Sequence, residues 1–287
     1  MRPGSDTPVR LRGVTKRYTI STAILRELSR LDFATFADIG GAEGYKAALV
    51  RELFGAQVMS CDLSAEACQR AREIFGVEAR PIDIHALPFE DDAFDVVLCS
   101  ETLEHVPQIE RATRELLRVA RRAVVITVPC EPPAVIERNL REQIPHAHIH
   151  ALHLRSFDWA HELGYEVRAQ KLLSPLLYAP GVLVDATPRP SRSLLARSYR
   201  ALCPLLRATL GARCAAWVAD LDRVATRLGP HGGMLVTLLK DPACALPAPR
   251  RTVRARDVVR FAVPWHRVPS AAPASSRVEV TAELQPA

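Results

Sequence analysis

Residues 38–44 read Asp-Ile-Gly-Gly-Ala-Glu-Gly, set between an apolar run, Phe33 to Ala37, and a helix-forming stretch, Tyr45 to Phe54. An acidic residue closing a strand, a glycine-dense turn and then a helix leave few folds open to a chain. A doubly wound α/β fold brings backbone against a nucleotide-like ligand in this way. Gly40 and Gly41 allow dihedrals and close approach that a Cβ would forbid. Gly44 opens the helix, whose first N–H groups face the ligand.

The pattern then repeats. Gln57 to Cys61 reads as a second strand and ends at Asp62, 22 residues after Gly40, where such folds place an acceptor for two ribose hydroxyls. A third strand near Val77–Pro81 is followed by Asp83, and a fourth, Val96 to Cys99, follows the run Leu87 to Asp95. Helices near 64–75 and 107–120 follow their strands, with Ser64 as N-cap of the first. Ala123 to Val128 is a fifth strand, a helix starts near Ser156, and Tyr165 to Leu172 is a further strand. Strand–helix alternation of this kind predicts an α/β, doubly wound, Rossmann-like sheet, mostly parallel and seven-stranded, with helices on both faces.

Asp38 to Gly44, Asp62, Asp83, Leu87-Pro88-Phe89 with Phe94-Asp95, and Glu104-His105-Val106 together resemble the class I S-adenosylmethionine-dependent methyltransferases, in a domain like the type 11 group. The resemblance covers residues 15–170 and resumes at 232–240. It implies that Asp38, Gly40, Gly41 and Gly44 line the methionine end of S-adenosyl-L-methionine. Asp62, followed by Leu63, would hold the ribose diol, Asp83 with Ile84 would meet the adenine, and Ser100 and Glu101 would sit beneath the sulfonium. Ala42 stands where the family has its middle glycine, so the backbone at 42 is expected outside the left-handed region. A nicotinamide-binding reading needs Gly-x-Gly-x-x-Gly, and the spacing of Gly40, Gly41 and Gly44 differs from it.

Two groups of residues carry candidate chemistry. A helix starting at Glu101 would put Glu101, Glu104 and His105 on one face. That spacing resembles a divalent-metal site of some O-methyltransferases, so these three are the expected ligands for a cation, with Glu101 and His105 also candidate catalytic groups. The second group is His146, His148, His150 and His153, four of nine histidines within eight residues. One of these four would complete the metal site or act as a base near neutral pH, and His153, which opens a segment resembling one that closes over substrate in the family, is the third candidate catalytic residue.

Composition sets the frame. The 287 residues suffice for one α/β core and an appendage, 48% of them are apolar, and mean hydropathy is near zero. No apolar run reaches membrane-span length and residues 1–17 lack a signal-peptide core, so the expected location is cytoplasmic, with a membrane-peripheral variant. Seven scattered cysteines without a Cys-x-x-Cys pair fit reduced thiols. Residues 1–170 carry 21 basic and 25 acidic side chains, residues 171–287 carry 17 and 7. Four lysines among 38 basic residues suggest coding bias, and no aromatic-interleaved basic stripe is present, so no specific nucleic-acid partner is expected.

The core is therefore expected over 1–172 and 232–240. Residues 173–231 form a helical insertion or lid before the last strand. Its first apolar stripe includes Leu194, Tyr199, Leu202 and Leu206, kinked at Pro204, and its second runs from Ala212 to Leu228 with Trp217, Val218, Leu221 and Val224. Residues 241–287, rich in Ala, Pro and Arg, read as a largely disordered tail. The functional expectation is methyl transfer to a small-molecule or lipid-like acceptor, on oxygen, with peripheral membrane contact. The alternatives are a non-catalytic S-adenosyl-ligand-binding regulatory protein and an RNA methyltransferase.

Overall fold

The computed structural model describes residues 11–175 and 212–261. Its strands are β1 (Thr35–Ile39), β2 (Gln57–Asp62), β3 (Glu78–Pro81), β4 (Phe94–Ser100), β5 (Ala120–Pro129), β6 (Glu166–Leu172) and β7 (Gly233–Leu239). They form one sheet in the order β3-β2-β1-β4-β5-β7-β6. All pairs are parallel except those of β7, which runs antiparallel between β5 and β6. The strand order turns back between β1 and β4, so a crevice opens at their C-terminal ends, where ligands bind in open α/β sheets.

Both faces of the sheet are covered, which is why its central strands read as continuous apolar runs and not as alternating ones. On one face Phe36, Leu98, Val125 and Leu235 pack with Ile24 and Leu28 of α1 (Leu11–Leu28). On the other, Ala37, Val97, Val124 and Val236 pack with Leu116 of α4 (Ile109–Val119). Each large side chain buried in this way contributes about 1.5–3 kcal/mol.

Local chemistry sets the helix ends. α2 (Tyr45–Phe54) starts after Gly44 and stops at Gly55, both left-handed. α3 (Ala65–Phe75) is capped by Ser64, whose Oγ accepts the Ala67 N–H at 3.1 Å, and ends at left-handed Gly76. Arg51 of α2 donates to the Phe75 and Gly76 carbonyls and ties the two helices together. α5 is Pro133–Arg141, and α6 (Ala212–Leu228) lies against α1 and leads back to β7.

Four expectations change. The apolar spacing of Ile20, Ala23, Ile24, Leu28 and Leu31 predicts a helix over residues 19–30, whereas α1 begins at Leu11. The helix expected near Ser156 is a 3-10 segment, Asp158–Leu163, ended by left-handed Gly164. The tail is not disordered from 241: Cys244 O accepts the Asp32 N–H, and Arg250 stacks on Phe33 and Phe54. A short helix α7 (Ala255–Arg260) then brings Phe261 against Tyr45 and Phe75. The fourth is Glu101, whose backbone is left-handed at φ 57 and outside any helix. The stripe from Leu194 to Leu206 lies outside the described residues. Among those described, no helix is long and apolar enough to cross a membrane.

Candidate functional site

The loop after β1 is built on backbone geometry. The Gly40 and Gly41 N–H groups donate to Cys61 O at 2.7 and 2.9 Å, stitching the ends of β1 and β2. Gly40 has φ 76, and a Cβ there would meet the Thr102 Oγ1 at 2.2 Å. A Cβ on Gly41 would lie 2.4 Å from Ser60 Oγ and 2.9 Å from Asp38 Oδ2. Neither position admits a side chain. Ala42, against expectation, is left-handed at φ 47. Its N–H donates to Asp62 Oδ2 at 2.8 Å, a hydrogen bond that helps hold an alanine where glycine is at ease.

Asp62 is thereby oriented from two sides, since its other oxygen accepts the Ser64 N–H at 3.0 Å. A carboxylate has about four acceptor sites, so each oxygen keeps capacity for a ligand hydroxyl. Asp83 Oδ1 accepts the His85 N–H at 2.9 Å and lies 2.8 Å from His85 Nδ1, contacts that hold its carboxyl below the usual range. Asp38 is fully buried beneath the loop and neither oxygen closes a full hydrogen bond. Burial pushes its pKa up to about 6; Lys46 and the Ala47 amide oppose the rise and Asp62 adds to it.

A cavity of about 960 Å³ opens over this loop. Gly40, Ala42, Asp62, Leu63, Asp83 and Ile84 line it, as do Glu101 and His105. So do Val106, Pro107, Ile144, His146, Ala147 and Ile149. Its size suits a drug-sized ligand or two smaller ones. Of the six non-glycine residues with positive φ among the described residues, three (Ala42, Glu101 and His146) line it, so backbone strain concentrates here as it does at functional sites. Of the other residues singled out in the sequence, Asp38, Gly41, Gly44 and Ser100 are buried and do not line the cavity. Ser100 is buried, with its Oγ 2.6 Å from Thr127 Oγ1.

The segment 144–150 folds onto the chain after β4. The Ile149 N–H donates to Glu104 O at 2.9 Å, His150 Nε2 lies 2.7 Å from Val106 O and His105 Nδ1 lies 3.3 Å from Ala147 O. These contacts bring ligand atoms of Glu104, His105 and His148 within 4.8 Å of one another. Glu104 is buried, and Glu131 lies 3.0 Å from His148 Nδ1. The trio differs from the one expected. Glu101 leaves the helical face because its N–H is tied to Thr127 O at 2.7 Å on β5, and His148 stands in its stead. His153 does not line the cavity; its Nδ1 accepts the Arg155 N–H in an exposed turn. Burial first, then His148 and His146, hold His105 below the ordinary histidine pKa, against the pull of the Ala147 carbonyl. Cys130, pushed up to about 11 by burial and Glu101, stays a thiol.

Sequence reasoning missed His85, Val106, Pro107, Ile144 and Ile149 as cavity residues. His85 had a usable signal, standing two residues after the carboxylate at the end of the third strand. Val106 stood in the Glu104-His105-Val106 motif, and Pro107, Ile144 and Ile149 carried none.

Residues 37–127 match the family model described as a methyltransferase domain. The malonyl-[acyl-carrier protein] O-methyltransferase of Halorhodospira halophila is 36% identical over 87 residues, 29% of this chain and 30% of that protein. The phthiotriol/phenolphthiotriol dimycocerosates methyltransferase 1 of Mycobacterium ulcerans is 36% identical over 85 residues, again 29% and 30%. The similarity thus spans under a third of either curated relative. Among solved structures, Haemonchus contortus phosphoethanolamine N-methyltransferase 2 with phosphomonomethylethanolamine and S-adenosylhomocysteine superposes with a TM-score of 0.52 at 15% identity. That match covers 77% of this chain and 52% of the other, and it bears on the fold alone.

Proposed function

We propose that this chain, which carries a class I S-adenosylmethionine-dependent methyltransferase domain, moves a methyl group from S-adenosyl-L-methionine to a hydroxyl or carboxyl oxygen of an acceptor with a hydrocarbon part. One observation carries the reading: a single cavity combines the Gly40–Asp62–Asp83 edge with an apolar wall of Val106, Pro107, Ile144 and Ile149. The acceptors in the names of the two curated relatives, a malonyl group on a carrier protein and dimycocerosate compounds, support a substrate of this kind.

The residues fit the donor. Gly40 presents bare backbone to the cavity, and Asp38, buried beneath the turn, keeps two carboxylate oxygens without a hydrogen-bond partner. Asp62 accepts the ribose hydroxyls with its remaining lone pairs, and Asp83 with Ile84 borders the adenine. The bound donor supplies an activated methyl on a sulfonium. The protein supplies alignment and a place for the acceptor proton. His105 is neutral at neutral pH and accepts the proton of a hydroxyl acceptor, whereas a carboxylate acceptor has none to give up. The apolar wall holds the hydrocarbon and excludes water, and Glu101 at the end of β4 orients the polar head of the acceptor.

A divalent cation is a second reading, favoured by the convergence of Glu104, His105 and His148. The donor set, one carboxylate and two imidazoles, suits Zn²⁺ or Mn²⁺. Glu131 behind His148 and the Ala147 carbonyl at His105 Nδ1 are the outer partners such ligands use. A cation would take the His105 lone pair, so the two readings exclude each other at that residue. Calorimetric titration of the chelator-treated protein with Zn²⁺ separates them: a one-site heat lost in His148→Ala supports the cation, and no heat removes it.

The activity is tested with methyl-labelled donor and a set of long-chain alcohols and acids. Label should enter the organic extract, and His105→Ala should lower kcat on the alcohols about 10²–10⁴-fold. A protein that binds the donor but labels no acceptor in the set would favour the regulatory alternative. Label in RNA alone would overturn the acceptor class.

A further inference from the structure

α6 has two apolar faces, and the described fold uses one. Val218, Ala219, Asp222 and Thr226 point into the protein, where Asp222 accepts the Leu173 and Ser174 N–H groups at 3.0 and 2.7 Å. On the opposite side Trp217, Leu221, Val224 and Leu228 are 70%, 47%, 56% and 86% exposed. Spacings of four, three and four residues align them in a stripe about 60° wide along the helix. Single exposed apolar residues are ordinary. Four in register on one helix mark an interaction surface.

The stripe has a cationic border on its α1 side. Asp220 and Arg227 flank it, Arg223 lies farther round toward α1, and Arg26 and Arg30 of α1 stand beside Arg223. Burial and repulsion from Arg227, Arg26 and Arg30 hold the Arg223 guanidinium below its ordinary pKa, so this is one electrostatic cluster. Arg26 is paired with Asp220. Arg30, Arg223 and Arg227 have no carboxylate partner among the described residues.

We propose that the outer face of α6 docks on an anionic lipid bilayer. Trp217, Leu221, Val224 and Leu228 enter the boundary between headgroups and acyl chains, and Arg223 and Arg227 meet lipid phosphates. The charge complementarity selects an anionic surface. A tryptophan among aliphatic residues suits the interface, where its ring is apolar at one end and polar at the other. This surface is independent of which acceptor the cavity takes. Four side chains and a few arginines make binding weak and reversible.

The test uses the full chain and sedimentation with vesicles of phosphatidylcholine, alone or mixed with phosphatidylglycerol. The bound fraction should be at least about tenfold higher on the mixed vesicles and fall away in about 1 M salt, where the Debye length is about 3 Å. Trp217→Ser with Leu221→Ser, and separately Arg223→Glu with Arg227→Glu, should each cut binding about tenfold, with circular dichroism and S-adenosylhomocysteine affinity unchanged. Trp217→Phe should still bind but lose the blue shift of tryptophan emission. The proposal falls if no vesicle binds, if neutral and anionic vesicles bind alike, or if the double variants bind like wild type. A Trp217-dependent dimer without vesicle binding would assign the face to a second copy and overturn it as well.

Discussion

Replacing Asp38 with asparagine should stabilise the ligand-free protein, and by an amount that depends on pH. The carboxyl is fully buried, and burial lifts its pKa from 3.8 to about 6. Between those values the folded protein keeps a proton that the unfolded chain has released. Stability therefore falls as pH rises through the window, and the loss is complete above it. The shift corresponds to about 3 kcal/mol. An asparagine side chain at this position carries no charge to desolvate, so Asp38→Asn should gain about 3 kcal/mol on wild type between about pH 4 and about pH 7.5. Urea denaturation of both proteins at several pH values reads this directly, because groups common to both cancel in the difference. An offset that does not change with pH would belong to the amide's own hydrogen bonds. A difference that is flat across the window, or shrinks as pH rises, would mean that the buried Asp38 carboxyl does not titrate at a raised pKa.

Asp95 titrates in the opposite sense. Burial would raise its pKa, but the Ala34 and Thr35 amides and the Arg121 guanidinium bring it down to about 2. Its contribution, about 2 kcal/mol, is present above the unfolded value of 3.8 and is lost as pH falls through about 2; Asp95→Asn should cost that much in urea melts at neutral pH, and an equally stable variant would contradict it. Ala42→Gly relieves a left-handed alanine, worth about 1–2 kcal/mol, and adds about 0.5–1 kcal/mol of chain entropy to be lost on folding. The variant should be more stable by about 0.5 kcal/mol, and a measurable loss would mean that the Ala42 methyl makes contacts that outweigh the strain.

What could be read from residue order alone was local. The Asp38–Gly44 turn, the Ser64 cap and the central strands follow from glycine chemistry, capping and apolar runs, each confined to a few neighbouring residues. The features that escaped depend on distant partners. Ala42 tolerates its left-handed backbone partly because Asp62 holds its N–H. Glu101 leaves the expected helix because Thr127, on the next strand, takes its amide. His148 reaches Glu104 and His105 through hydrogen bonds between segments more than forty residues apart. The composition of residues 241–261 signals disorder, yet Asp32 donates to Cys244 O, and Phe33 and Phe54 give Arg250 aromatic faces. In α6 the periodicity of apolar residues was visible, but which of them faced inward was not, since Asp222 and Thr226 occupy the buried side.

If the Gly40–Asp62–Asp83 edge holds an S-adenosyl ligand, its affinity depends on Asp62. Calorimetric titration of the purified chain with S-adenosylhomocysteine decides it, with Asp62→Ala, checked for folding by circular dichroism, as the paired variant. One site per chain on wild type, weakened at least about tenfold (about 1.4 kcal/mol) by the substitution, is the predicted result. No heat of binding on wild type, or equal affinity in the folded variant, would contradict it.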